Sequence, residues 1–123
     1  MKCLFHLQVI GDGVRGFRDG NGQTARFCSP QGLCFRSPDE LYVCDTGNHA
    51  IRLIKLGDVE HVTTVAGNGT RGNDVEGGKS GVEQELSSPW DLCLGFSPEM
   101  FKRSERAFDV IYIAMAGSHQ VRL

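Results

Sequence analysis

Two glycine runs, Gly11-Asp12-Gly13-Val14-Arg15-Gly16 and Gly67-Asn68-Gly69-Thr70-Arg71-Gly72, both satisfy the G-x-G-x-x-G spacing that cradles a pyrophosphate. That chemistry also needs a helix opening directly after the third glycine, because the helix N-terminus holds the phosphates. The continuations, FRDGNGQ and NDVEGGK, are rich in Gly and Asp and carry no helical period. The runs therefore read as compact crossing loops, with glycines where the backbone needs φ > 0. No nucleotide, and no other cofactor, is expected.

The remaining reactive side chains are sparse. His49 and His119 follow similar turn sequences, TGNH and AGSH, and two histidines on one face suggest a metal. Ligands of one ion sit about 4 Å apart, and neighbouring turns at a rim hold imidazoles much farther apart. No metal is expected. Asp45, ahead of Thr46-Gly47-Asn48, reads as a turn residue whose carboxylate accepts backbone N–H groups within the hairpin. No second carboxylate is fixed near it by spacing. Ser29, Ser88 and Cys44 are the candidate nucleophiles, and none has a His and an acid placed to activate it. The arginines repeat in pairs. Arg52 and Arg122 fall in strand-like runs and are expected to pair with a neighbouring acid. Arg15 and Arg71 fall in the glycine loops, where a guanidinium can recognise carboxylate or phosphate.

The chain has 123 residues, 16 glycines, five cysteines and a formal net charge of −2. Residues 57–100 carry two basic and eight acidic side chains, among them Asp74, Glu76, Glu83 and Glu85 of the second glycine loop. With no basic stripe, nucleic-acid binding gains no support. Cys3, Cys28, Cys34, Cys44 and Cys93 are odd in number and show no Cys-x-x-Cys spacing, which suits buried free thiols in a reducing, cytoplasmic compartment. No run is long enough to span a bilayer. The alternation in the opening MKCLFHLQVIG suits a strand better than a signal peptide.

The elements that position these residues come from an internal repeat. VIGDGVRG from Val9 returns as VAGNGTRG from Val65, SPQGLC from Ser29 as SPWDLC from Ser88, and LYVCDTGNHAIRL from Leu41 as IYIAMAGSHQVRL from Ile111. Three blocks in the same order mean stacked supersecondary units. β-branched and aromatic runs between turn residues place strands at Leu4–Ile10, Gln31–Phe35, Glu40–Cys44, Ala50–Leu56, His61–Ala66, Asp91–Phe96 and Asp109–Ala114, with a last one from Gln120. Glu99–Phe108 is a short helix or a charged loop. Gly47-Asn48 suits a tight hairpin, since both residues tolerate φ > 0. Successive antiparallel strands put the Gly-Arg-Gly loops and the TGNH and AGSH turns at one end. Trp90 is expected to pack between units.

The run from Phe27 to Ile54 resembles an NHL repeat, on Pro30, Gly32, the LYVCDTGNH run of Leu41–His49, and Ile51-Arg52. VTTVAGNGTRGNDVEGG, SSPWDLCLG and AMAGSHQ extend the resemblance over nearly the whole chain. The second unit departs from the pattern in Met115 for Asp45 and Ser118 for Asn48. The resemblance implies an all-β fold of antiparallel four-stranded blades, about two blades of a six-bladed β-propeller. Residues 1–10 would be the last strand of a preceding blade, 27–66 a full blade, and 86–123 a truncated one. Full-length relatives would add a thioredoxin-like domain before the ring and a β-rich segment after it. Fewer than two blades cannot close a ring, so the chain is expected to be part of a larger one and aggregation-prone alone.

The function expected is a noncatalytic interaction scaffold. Arg15, Arg71, Asn48, His49 and His119 are the candidates for contact with an unidentified protein partner, and Asp45, Gly47 and Gly117 are structural turn residues. The remainder of the propeller in the same polypeptide is the other expected partner. Two alternatives are an RNA-binding propeller face and a zinc-dependent lyase, since some relatives hold zinc with propeller histidines.

Overall fold

The computed structural model describes residues 8–96 and 110–123. β1 is Gly20–Asn21, β2 Pro30–Ser37, β3 Glu40–Asp45, β4 Ala50–Lys55 and β5 His61–Gly67. β6 is Pro89–Gly95, β7 Val110–Met115 and β8 Gln120–Arg122. The first five form one antiparallel sheet in the order β1-β5-β4-β3-β2, and the last three a second in the order β6-β7-β8.

Strand alternation sends successive side chains to opposite faces, and the central strands β3 and β4 are covered on both. Tyr42, Cys44, Ile51 and Leu53 pack against Leu86, Leu92, Ile113 and Met115, so this cluster glues sheet to sheet. On the other face Val43, Ile54 and Val62 meet Ala25, with Phe27 and Ile10 at the margin, so the first glycine loop covers that face. Burying a side chain such as Ile51 contributes about 1.5–3 kcal/mol, and here the partner surface is the next repeat unit.

The strand expectations hold to within a residue or two for β2 to β7. One element escaped them. β1 lies inside the first glycine loop and pairs with β5, Gly20 opposite Val62 and Asn21 opposite His61. The first sheet therefore reaches beyond residues 27–66. The strand expected at Leu4–Ile10 falls mostly outside the described residues, and residues 8–10 are not in a strand. The segment Glu99–Phe108 lies outside the described residues altogether.

The hairpin between β3 and β4 also differs from its expected form. Thr46–Asn48 is a single 3-10 turn, and the left-handed residue is His49, φ 52°, rather than Gly47 or Asn48. Gly47 is required for a different reason. A Cβ there would lie 2.7 Å from the Cys28 carbonyl oxygen and collide with its Sγ. Gly117 stands in the same relation to Ser87, its Cβ position 2.8 Å from that carbonyl oxygen. The repeat extends to backbone strain: Ser29 and Ser88 both have φ 50°, and His119 has φ 55° beside 52° for His49.

Candidate functional site

The β3–β4 and β7–β8 turns, the glycine loops and the Ser-Pro entries to β2 and β6 gather at one end of the two sheets. Gly47 N–H donates to the Cys28 carbonyl at 2.8 Å, and Gly117 N–H to the Ser87 carbonyl at 3.1 Å. Each turn is thus tied to the segment that enters its own sheet.

Beneath the first turn lies a buried ion pair. Asp45 and Arg52 are both fully buried, with Nη1 2.6 Å from Oδ2. Asp45 Oδ2 also accepts from Asn48 Nδ2 at 2.8 Å, and Oδ1 from the Cys28 backbone N–H at 2.7 Å. The expected bonds to N–H groups within the hairpin are replaced by one reaching 17 residues back, because the segment before β2 packs under the turn. Arg52 spends all five donors. Beyond Asp45, Nη1 reaches the Arg26 carbonyl, Nη2 the Arg18 carbonyl and Asp19, and Nε Asp19 again. The rings of Phe17 and Phe27 each lie 4.9 Å from the guanidinium carbon. A desolvated cation holds its charge only when paired and bonded in this way. Asp19, missed in the sequence, also accepts from Thr64 of β5.

The second unit carries the arginine without the acids. Arg122 Nη2 still donates to the Asp74 carbonyl, the counterpart of the Arg18 carbonyl. Met115 replaces Asp45 and Val75 stands where Asp19 would fall. Nη1 of Arg122 is buried without a partner among the described residues, as is the Ser118 hydroxyl that replaces the Asn48 amide.

The candidate contact residues divide. Asn48 is buried, its amide also bonded to the Gly16 carbonyl at 2.7 Å, so it joins the turn's framework. His49 is half-buried, and its Nδ1 accepts the Ser88 backbone N–H at 2.9 Å, linking the first unit's turn to the second unit's entry. Burial, and then the charge of Arg71, hold its imidazole below the usual range. His119 is exposed at the second turn. Arg15 and Arg71 are exposed. Arg15 Nε points at Cys28 Sγ, 3.1 Å away, and Arg71 reaches the Gly117 carbonyl at 3.4 Å. The described residues hold no carboxylate partner for either one.

For catalysis the geometry offers little. Burial, with the nearby charge of Asp91, pushes the Cys44 thiol up to about 12, which keeps it protonated. Ser88 presents its backbone, not an activated hydroxyl, to His49. Among the described residues no three His, Cys, Asp or Glu side chains cluster as metal ligands. Likewise no helix among them is long and apolar enough to cross a membrane. Trp90 is exposed, and it lies at the junction of the two units, where it shares a hollow with Gln31, Gly32 and Leu33 of β2.

Comparison with known proteins agrees with this architecture. Residues 27–52 match the NHL repeat family. The chain is an NHL-repeat protein, and its two antiparallel sheets are partial blades of a β-propeller. It is 46% identical over 116 residues to the Arabidopsis thaliana protein SUPPRESSOR OF QUENCHING 1, chloroplastic, covering 94% of this chain and 10% of that protein. It is 48% identical over 115 residues to chicken (Gallus gallus) NHL repeat-containing protein 2, covering 94% of this chain and 15% of the relative. The human protein of that name is 45% identical over 112 residues, covering 91% and 15%. The chain thus spans only about a tenth to a seventh of the length of these relatives. An auxiliary nutrient binding protein from Bacteroides thetaiotaomicron, of known crystal structure, shares the fold. Its TM-score is 0.65 at 23% identity, covering 89% of this chain and 25% of that one.

Proposed function

We propose that this chain is a noncatalytic interaction module that recognises a protein through the loop end of its sheets. The observation that carries the reading is the contrast among its arginines. Arg52, Arg26 and Arg36 are paired with Asp45 and Asp19, Asp12, and Glu40. Arg15 and Arg71, at the loop end, are exposed and make only a thiol contact and one long carbonyl bond. Guanidinium groups free to make directional bonds to a carboxylate are the usual anchors of a protein interface. His119, exposed at the same end, joins them. Asn48 Nδ2 is bonded to Gly16 and Asp45 and His49 Nδ1 to the Ser88 N–H, so these two side chains shape the surface from beneath. Of the cysteines expected to be buried, Cys44 is buried, Cys34 is half-buried and Cys93 is exposed; with Cys28 they are free thiols, which fits a reducing compartment.

Arg15→Ala with Arg71→Ala should weaken partner capture by about 10-fold to 100-fold, the worth of one or two anchors. The fold should persist, because neither side chain is buried. Capture unchanged in that double variant would refute the reading.

A further inference from the structure

Asparagine followed directly by glycine occurs twice, at Asn21-Gly22 and at Asn68-Gly69. Both asparagines are exposed. In both, the side-chain carbonyl accepts a backbone N–H two residues on, from Gln23 at 2.8 Å and from Thr70 at 3.1 Å. The rest of their surroundings differ. Gly22 is buried, and its N–H donates to the Glu60 carbonyl at 2.8 Å. Asn21 is paired with His61 across the β1–β5 ladder, and its own carbonyl accepts the Thr24 and Ala25 N–H groups. The Gly69 N–H meets no acceptor among the described residues. Asn68 Oδ1 takes a second bond, from Thr70 Oγ1 at 2.9 Å.

Gly69 has φ 89°, and a Cβ there would lie 2.6 Å from the Phe17 ring, so the position calls for glycine. A glycine leaves its peptide nitrogen unshielded. The bond from the Thr70 N–H closes a ring around the Gly69 peptide and holds the Asn68 carboxamide beside it. Two donors on Oδ1 polarise that carbonyl and stabilise the oxyanion that forms when a nucleophile attacks it. At the matching place in the first loop stands Asp12, whose Oδ1 accepts the Val14 N–H and whose Oδ2 pairs with Arg26. The residue that matches Arg26 is Glu85, which lies beside Gly72 as Arg26 lies beside Gly16.

We propose that Asn68 is a self-modification site, converting to an aspartyl or isoaspartyl residue in the folded protein, while Asn21 is held intact. The Gly69 amide gives its proton to solvent hydroxide, and its nitrogen attacks Asn68 Cγ. The tetrahedral intermediate takes a proton on Nδ2, the Cγ–Nδ2 bond breaks, and ammonia leaves behind a five-membered succinimide. Water then adds to one of the two ring carbonyls and opens it. Opening at Cγ restores the backbone with an aspartyl side chain. Opening at the backbone carbonyl leaves the chain running through Cγ, as an isoaspartyl link. The aspartyl product turns a carboxylate toward Glu85 where the first loop has Arg26. The isoaspartyl product lengthens the backbone by one carbon beside Phe17. Either change loosens the loop that carries Arg71.

Incubation of the folded chain at neutral pH in water enriched in heavy oxygen tests this, read by peptide mapping with electron-transfer fragmentation. Heavy oxygen is expected at position 68 in both products. Conversion there should run about tenfold or more ahead of Asn21, the worth of the Gly22 hydrogen bond that must break. In urea, where that bond is gone, the two sites should convert at similar rates. Thr70→Val removes only the hydroxyl donor at an exposed position, and it should slow conversion about fivefold to tenfold with circular dichroism unchanged. Asn68→Asp should lower the melting temperature by about 2–4 °C, and adding Glu85→Arg should restore it by rebuilding the ion pair of the first loop. No conversion at position 68, equal folded-state rates at the two sites, a Thr70→Val chain that converts as fast as the wild type, or a melting temperature indifferent to Asn68→Asp would overturn the proposal.

Discussion

Arg52 shows how much of this fold hangs on single side chains. Its five donors tie β4 to the first glycine loop, to Asp19 and to Asp45 under the turn. Asp45→Asn keeps the shape and removes the charge, which leaves a buried cation half compensated. The expected loss is about 3 kcal/mol in urea denaturation, with Asp19 preventing a larger one. His49 gives a prediction in pH. Its folded-state value lies below the ordinary 6.5, and its Nδ1 must stay unprotonated to accept the Ser88 N–H. The folded state therefore takes up this proton later than the unfolded chain. Its contribution is whole above about pH 6.5 and is lost as pH falls from there through the depressed value. Melting temperature followed from pH 7.5 to 5 should drop across that window. His49→Phe should remove that step while starting less stable. The sequence marked Arg52 for an acidic partner, yet the spacing pointed to none. Asp19 lies 33 residues upstream and arrives only because the loop folds back over the sheet. Neither was the left-handed backbone of His49 legible, since Gly and Asn stood beside it as the usual occupants of such φ values.

At the scale of elements, β2 to β7 were readable because β-branched and aromatic runs alternate between turn residues. β1 was not, for the opposite reason. Gly and Asn are poor strand formers, and they pair here because β5 offers a free edge beside the loop. The repeat correctly marked the turns as equivalent. It missed that Gly47 and Gly117 serve close approach rather than φ > 0. Gly47→Ala should push the turn off the Cys28 carbonyl and break the Gly47 N–H bond to it. A cost of about 1–3 kcal/mol is expected from the steric term, read from the urea midpoint. Gly57→Ala makes a contrasting control. Its Cβ would meet nothing within 4 Å, so whatever it costs comes from its backbone at φ 154° and not from a collision. The candidate site was legible as a location, the loop end. Which of its residues remain free to bind was decided by packing: Asn48 turned inward and His49 to the next unit, while Arg15, Arg71 and His119 stayed exposed.

For the whole molecule, the repeat explains why two sheets share one apolar interface. The second unit keeps the arginine and the histidine of the first but loses Asp45, Asp19 and Asn48 to Met115, Val75 and Ser118. That asymmetry argues against a duplicated reactive centre and leaves the loop end as the shared feature. Recognition of a protein there is the central claim. Its most direct test is a photo-crosslinking amino acid placed at Thr70, exposed beside Arg71, and, separately, at Asp58 in the β4–β5 turn at the opposite end. The account expects a saturable protein adduct from position 70, displaced by excess unlabelled chain but not by excess chain carrying Arg15→Ala and Arg71→Ala, and none from position 58. Equal adducts from both positions, or displacement by the double variant as effective as by the wild type, would contradict it.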